Sequence, residues 1–188
     1  MNIMKRFFRL SFSVFAAVLL LAFTLGCSTA PKVPDRSFSG PQLVMNPQVI
    51  PLGVAKLMDT NISFEGSGFK PGDTVFVSLI GQKDVNTSLV LTKVEANGTF
   101  RAEVGQSSQA KLAKITGILR ANIVTNEAFD SVVVLTRPTI PAGAYTARAT
   151  SLFSSLTAET PVTVAEPTFF NRIMYGIANM LGKIEDKR

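Results

Sequence analysis

Residues 61–79, NISFEGSGFKPGDTVFVSL, constrain the fold more than any other stretch of the chain. Ile62 and Phe64 alternate with polar neighbours, and after a break Val75, Val77 and Leu79 alternate with Thr74, Phe76 and Ser78. Successive side chains of an extended backbone point to opposite faces, so this period of two marks strands buried on one side. Between the two runs, Lys70-Pro71-Gly72-Asp73 places Pro where φ is preset and Gly where φ must be positive, which favours a type II turn. Such a chain buries its apolar residues only by laying one sheet against another layer.

The same pattern continues from Leu43 to about Val164, with short β-branched and aromatic runs separated by Gly, Pro and Asn. Residues 89–94 and 99–104 flank Asn97-Gly98, the strongest short-range signal for a hairpin. Residues 145–149 and 156–164 form a further strand pair after the turn Ile140-Pro141-Ala142-Gly143, and the continuous apolar run 132–135 predicts a strand covered on both faces.

The succession GSGFKPGDTVFVSL, EANGTFRAEV, IPAGAYTARAT and TPVTV, within residues 47–165, resembles the bacterial immunoglobulin-like modules of surface and secreted proteins. The resemblance implies an antiparallel β-sandwich of two sheets over residues 42–166. It implies no single activity, because such modules serve as spacers and as binding domains alike.

One segment departs from that pattern. In residues 107–123, Leu112, Ile115, Leu119 and Ile123 recur at intervals of three and four, Ser107 or Ser108 could cap the start, and Lys111 and Lys114 fall outside the stripe. This predicts a short inserted helix; the alternative is a loop followed by a strand over 118–124. After Pro167 a second helical period appears. Phe170, Ile173, Met174, Ile177, Leu181 and Ile184 make one apolar face of an amphipathic C-terminal helix within residues 167–188, with Lys183, Lys187 and Arg188 at its end. These six are the candidate partner-binding residues. Their face has three candidate destinations: the chain's own domain, a groove on a protein partner or second copy, or the membrane interface.

The N-terminus points to location. Lys5, Arg6 and Arg9 precede a stretch without charge from Leu10 to Gly26, the layout of a secretory signal. Thr24-Leu25-Gly26-Cys27 then resembles the lipobox of bacterial lipoproteins, with Thr24 standing where Leu is commonest. That resemblance implies a signal peptide over residues 1–26, cleavage between Gly26 and Cys27, a diacylglyceryl group on the Cys27 sulfur and a palmitate-type acyl chain on the new amine. Two or more chains suffice for stable anchoring. A buried thiol in an uncleaved anchor and a reactive thiol are the competing readings of Cys27. Residues 27–41, rich in Ser and Pro, read as a flexible tether. The implied location is a bacterial cell envelope, with the outer membrane favoured by Ser28 in a cell that has two.

Composition narrows the chemistry. The 188 residues contain no His, no Trp and a single Cys, which removes the commonest acid–base, metal-ligating and nucleophilic groups. Loss of Lys5, Arg6 and Arg9 with the signal would lower the formal charge from +6 to +3, and no basic run remains to bind nucleic acid. The carboxylates, among them Asp59, Glu65, Asp73, Asp84, Glu95, Glu103, Glu127 and Asp130, are dispersed over turns and outward positions. The expectation is therefore a non-catalytic lipoprotein without metal or cofactor, acting as a binding or spacer module and joined to the membrane through Cys27. The alternative is an envelope hydrolase that works with two carboxylates, such as a small glycosidase.

Overall fold

A computed structural model describes residues 30–81, 85–105 and 107–187. Residues 32–188 make one compact unit. Its elements are β1 (Gln42–Asn46), β2 (Val49–Pro51), α1 (Val54–Asp59), β3 (Ile62–Ser67), β4 (Thr74–Ile80), β5 (Asn86–Lys93), β6 (Phe100–Val104), α2 (Ser108–Ala113) with a π-helical continuation (Lys114–Leu119), β7 (Ala121–Thr125), β8 (Ser131–Leu135), β9 (Gly143–Ser151), β10 (Thr157–Ala165), α3 (Phe169–Met180) and β11 (Ile184–Asp186).

Among the described residues the strands form three sheets, ordered β1-β3-β6, β2-β10-β9-β4-β5 and β11-β8-β7. The first two enclose the main core. Their inward positions carry Met45, Ile62, Phe64 and Phe100 on one side, and Val75, Val77, Leu79, Ala147, Ala149, Val162 and Val164 on the other, all buried. The alternation is complete in β3 and β10, as half-buried strands require. The chain is thus mainly β and built as stacked sheets.

Several expectations change. The Lys70–Asp73 turn closes as read, with Asp73 N donating to Lys70 O at 3.1 Å and Gly72 at φ +79°. Yet the strands on either side belong to different sheets, since β3 pairs with β1 and β6 whereas β4 pairs with β5 and β9. The Asn97-Gly98 turn likewise carries the chain from β5 in one sheet to β6 in the other, so it is a corner and not a hairpin. Turn chemistry sets local reversal, while ladder pairing depends on strands far away in sequence. Residues 145–149 and 156–164 do pair directly, as β9 with β10.

The inserted helix ends at Leu119 and the chain continues as strand β7, so Ile123 lies in a strand. Lys114, expected outside the apolar stripe, is fully buried, and Leu112, expected on it, is exposed. At 100° per residue Leu112 and Lys114 lie on opposite sides of the helix, and the side that meets the domain is the one carrying Ala110 and Lys114. Residues 32–41, read from composition as tether, are folded onto the domain. Lys32 N donates to Asn46 Oδ1 at 2.9 Å while Asn46 Nδ2 donates to Lys32 O at 2.7 Å. Asp35 and Gln42 exchange a second such pair of bonds.

Candidate interaction surface

α3 begins at a Thr168 cap, whose Oγ1 accepts from Asn171 N at 3.3 Å. It ends because Gly182 takes φ +69° and Lys183 N reaches back to Ala178 O at 3.0 Å, a glycine-dependent terminus that a side chain would strain. This corrects the extent of the C-terminal helix. Ile184 leaves the helical face and is buried in β11, which pairs in parallel with β8 from Ile184↔Val133 to Asp186↔Leu135. The C-terminal residues therefore complete the third sheet instead of trailing beyond the domain.

The other five predicted residues stay together. Phe170, Ile173, Met174, Ile177 and Leu181 are joined by Phe169 and Met180, and all seven are exposed, from 38% for Met174 to 83% for Met180. At 100° per residue they fill one continuous arc of about 140°. The half-buried positions are Asn171, Tyr175 and Ala178, at intervals of four and three on the other side. Tyr175 Oη donates to Asp186 Oδ2 at 2.7 Å, tying the helix to β11. A helix on a globular domain normally turns its apolar stripe to the core. Here the polar and small side faces the domain and the apolar side faces out. A cavity of about 180 Å³ lies beneath, between α3 and the β2–α1 junction, lined by Leu52, Val54, Leu135 and Tyr175 among others.

Among the described residues two buried charges, Lys114 and Asp73, lie elsewhere, and both serve the scaffold. Lys114 Nζ donates to the carbonyl oxygens of Thr60, Met58 and Gly105, the last at 3.2 Å, so the ammonium joins the C-terminal end of α1 to the end of β6. Burial lowers its pKa and Lys111 lowers it further, against the opposing charge of Asp59. Its N–H groups donate to three backbone carbonyls, so its role in this structure is to bridge two elements of the scaffold.

Asp73 was expected on the outside and is instead buried. Burial by itself would raise its pKa, but Ser154 Oγ at 2.7 Å, Ser151 Oγ at 2.8 Å, Thr74 N and Phe153 N all donate to the carboxylate and hold it at about 2. Ser37 holds Asp35 below its ordinary value through its hydroxyl and backbone N–H. Both shifts oppose what a general acid requires, since such a group must keep its proton near neutral pH.

A shallow cleft of about 550 Å³ runs between residues 33–39 and the outward faces of β3 and β6. Within it Arg101 pairs with Glu65 at 3.1 Å, and on its edge with Glu103 at 2.9 Å. Among the described residues, no cluster of Asp, Glu, His or Cys is placed to hold a metal, and no helix is long and apolar enough to cross a membrane. Gly26, Cys27 and Asp84 lie outside the described residues. Sequence reasoning missed α1, β11 and the Asp73 and Lys114 clusters; only Gly182, as a helix stop before Ile184, offered a local signal.

No family model matches the chain, and no curated protein matches it. Among solved structures, macromomycin is 14% identical with a TM-score of 0.38, covering 67% of this chain and all of its own. A tetra-tandem repeat from the extending region of a large adhesion protein is 12% identical with a TM-score of 0.37, covering 68% of this chain. This chain spans 24% of that repeat structure's length. Likeness at this level carries no functional argument.

Proposed function

We propose that this chain is a lipid-anchored, immunoglobulin-like module of a bacterial cell envelope that works by surface contact and not by catalysis. The immunoglobulin-like reading draws support from the pairing scheme. One sheet runs β1-β3-β6, the other runs β2-β10-β9-β4-β5, and β2 joins β10 in parallel as a split first strand would. Tyr145 Oη donates to Pro141 O at 2.8 Å, four residues upstream at the start of β9, the geometry of the tyrosine corner in such sandwiches. The segment from α2 to β8 is then an insertion, which β11 covers at one edge.

The observation that carries the contact function is the outward apolar arc of α3, because an exposed apolar patch on a folded domain marks an interaction site. The anchor rests on Lys5, Arg6 and Arg9, the uncharged run that follows, and Gly26-Cys27. The test is made in cells. The wild-type chain incorporates labelled fatty acid and sediments with membranes, and Cys27→Ser abolishes the label. A Cys27→Ser chain that still carries the label, or a wild-type chain that never does, removes the anchor from this reading.

A further inference from the structure

The position of α3 relative to the point where the chain enters the domain suggests what covers its apolar arc. Lys32 is clamped to Asn46, the last residue of β1. Asn46 pairs with Ser63, immediately after the α1–β3 link, and β2 starts three residues later at Val49. β2 runs alongside the end of β10, where Pro51 is opposite Ala165 and Leu52 N donates to Ala165 O at 3.0 Å. α3 starts four residues beyond Ala165, at Phe169, and packs on α1. The entry point at Lys32, helix α1 and helix α3 therefore share one end of the sandwich.

We infer that the outward arc of α3, Phe169, Phe170, Ile173, Ile177, Met180 and Leu181, rests in the interface of the bilayer that holds the protein, as a second, non-covalent membrane contact. The inference rests on the anchoring reading for its geometry. Four residues separate Cys27 from Lys32, and the five steps between them, fully extended, reach about 17 Å. A lipid on Cys27 thus keeps this end of the domain within a short distance of the headgroups, where an interfacial helix buries its apolar face about 5–10 Å deep.

The charges fit an apolar mode of attachment. Arg172 and Lys187 each pair with a carboxylate, Glu166 at 3.3 Å and Glu185 at 3.0 Å, so α3 and its flank present little net positive field. Binding is then driven by the aromatic and aliphatic arc and needs no anionic lipid. A protein groove or a second copy is the competing occupant, and the test separates them.

The chain starting at residue 27 and carrying Cys27→Ser is mixed with phosphatidylcholine vesicles at about 0.1 M and about 1 M NaCl. It is expected to co-sediment with them equally at both salt levels. Phe170→Asp with Ile177→Asp is expected to lower the bound fraction roughly tenfold or more at unchanged melting temperature, since both positions are exposed. The chain contains no Trp, so Phe170→Trp is a single fluorescent reporter that keeps the arc apolar. Its emission is expected to shift to the blue on vesicle addition. No co-sedimentation, no blue shift, or a dimer in sedimentation that the double substitution dissolves would each overturn the inference. Fatty-acid labelling at Cys27 is scored separately in cells, so failure of the anchor and failure of the helix contact give different results.

Discussion

Asp73 at the head of β4 and Ser151 at the end of β9 are 78 positions apart in sequence and joined by a 2.8 Å hydrogen bond from the serine hydroxyl to the carboxylate. With Ser154, Thr74 N and Phe153 N also donating, this carboxylate locks the β9–β10 connection onto the start of β4. Its folded pKa of about 2 lies below the ordinary aspartate value. Its contribution to stability is therefore complete above the unfolded value of about 3.9 and is lost as pH falls toward the folded one. Melting temperature should decline between about pH 4.5 and about pH 2, and Ser151→Ala with Ser154→Ala, by raising the folded pKa toward the unfolded one, should make that decline smaller. An identical acid profile in the double variant would contradict this role.

Lys114 gives a second, independent expectation. Lys114→Met keeps an apolar stem but leaves the carbonyls of Met58, Thr60 and Gly105 without their shared donor. The loss is expected to be about 2–4 kcal/mol in urea unfolding, from buried acceptors left unpaired. Lys111→Met, on the same helix with its side chain partly exposed, should change stability by less than about 0.5 kcal/mol.

Removing the Tyr145 hydroxyl isolates one bond of the sandwich. Tyr145→Phe keeps the buried ring and deletes only the donation to Pro141 O. A cost of about 1 kcal/mol is expected, with the denaturant slope unchanged because the fold is retained.

Ile177 and Ile184 carry the same side chain on what the sequence presents as one stripe, and the structure separates them. Ile184→Ala deletes a buried group in β11 and should cost about 2–5 kcal/mol. Ile177→Ala, 44% exposed on α3, should cost less than about 1 kcal/mol. Equal losses at the two positions would mean that both belong to one packed helix face.

The legible parts of this protein are those governed by neighbours in sequence. Period-two burial in β3 and β10, the Lys70–Asp73 and Asn97-Gly98 reversals, the β9–β10 pair and the start of α3 after Pro167 follow from side-chain alternation and Pro and Gly backbone preferences, whereas in β4 Ser78, read as outward, is buried. Each of these is decided within a few residues. Composition misled at residues 32–41, because a polar, Pro-containing segment is held there by amide side chains, Asn46 and Gln42, that belong to the next strand.

What the sequence determined by itself was an alternating chain that must stack sheets, with an amphipathic helix after Pro167. Only the tertiary structure decided which turn is a hairpin and which crosses between sheets, that Asp73 and Lys114 are buried with partners, and that α3 docks by Tyr175 and Ala178 with its apolar arc outward. The reason is physical. Burial of a charge depends on donors and acceptors that come from distant strands, and a helix's period shows that it has an apolar face without showing which side the domain covers.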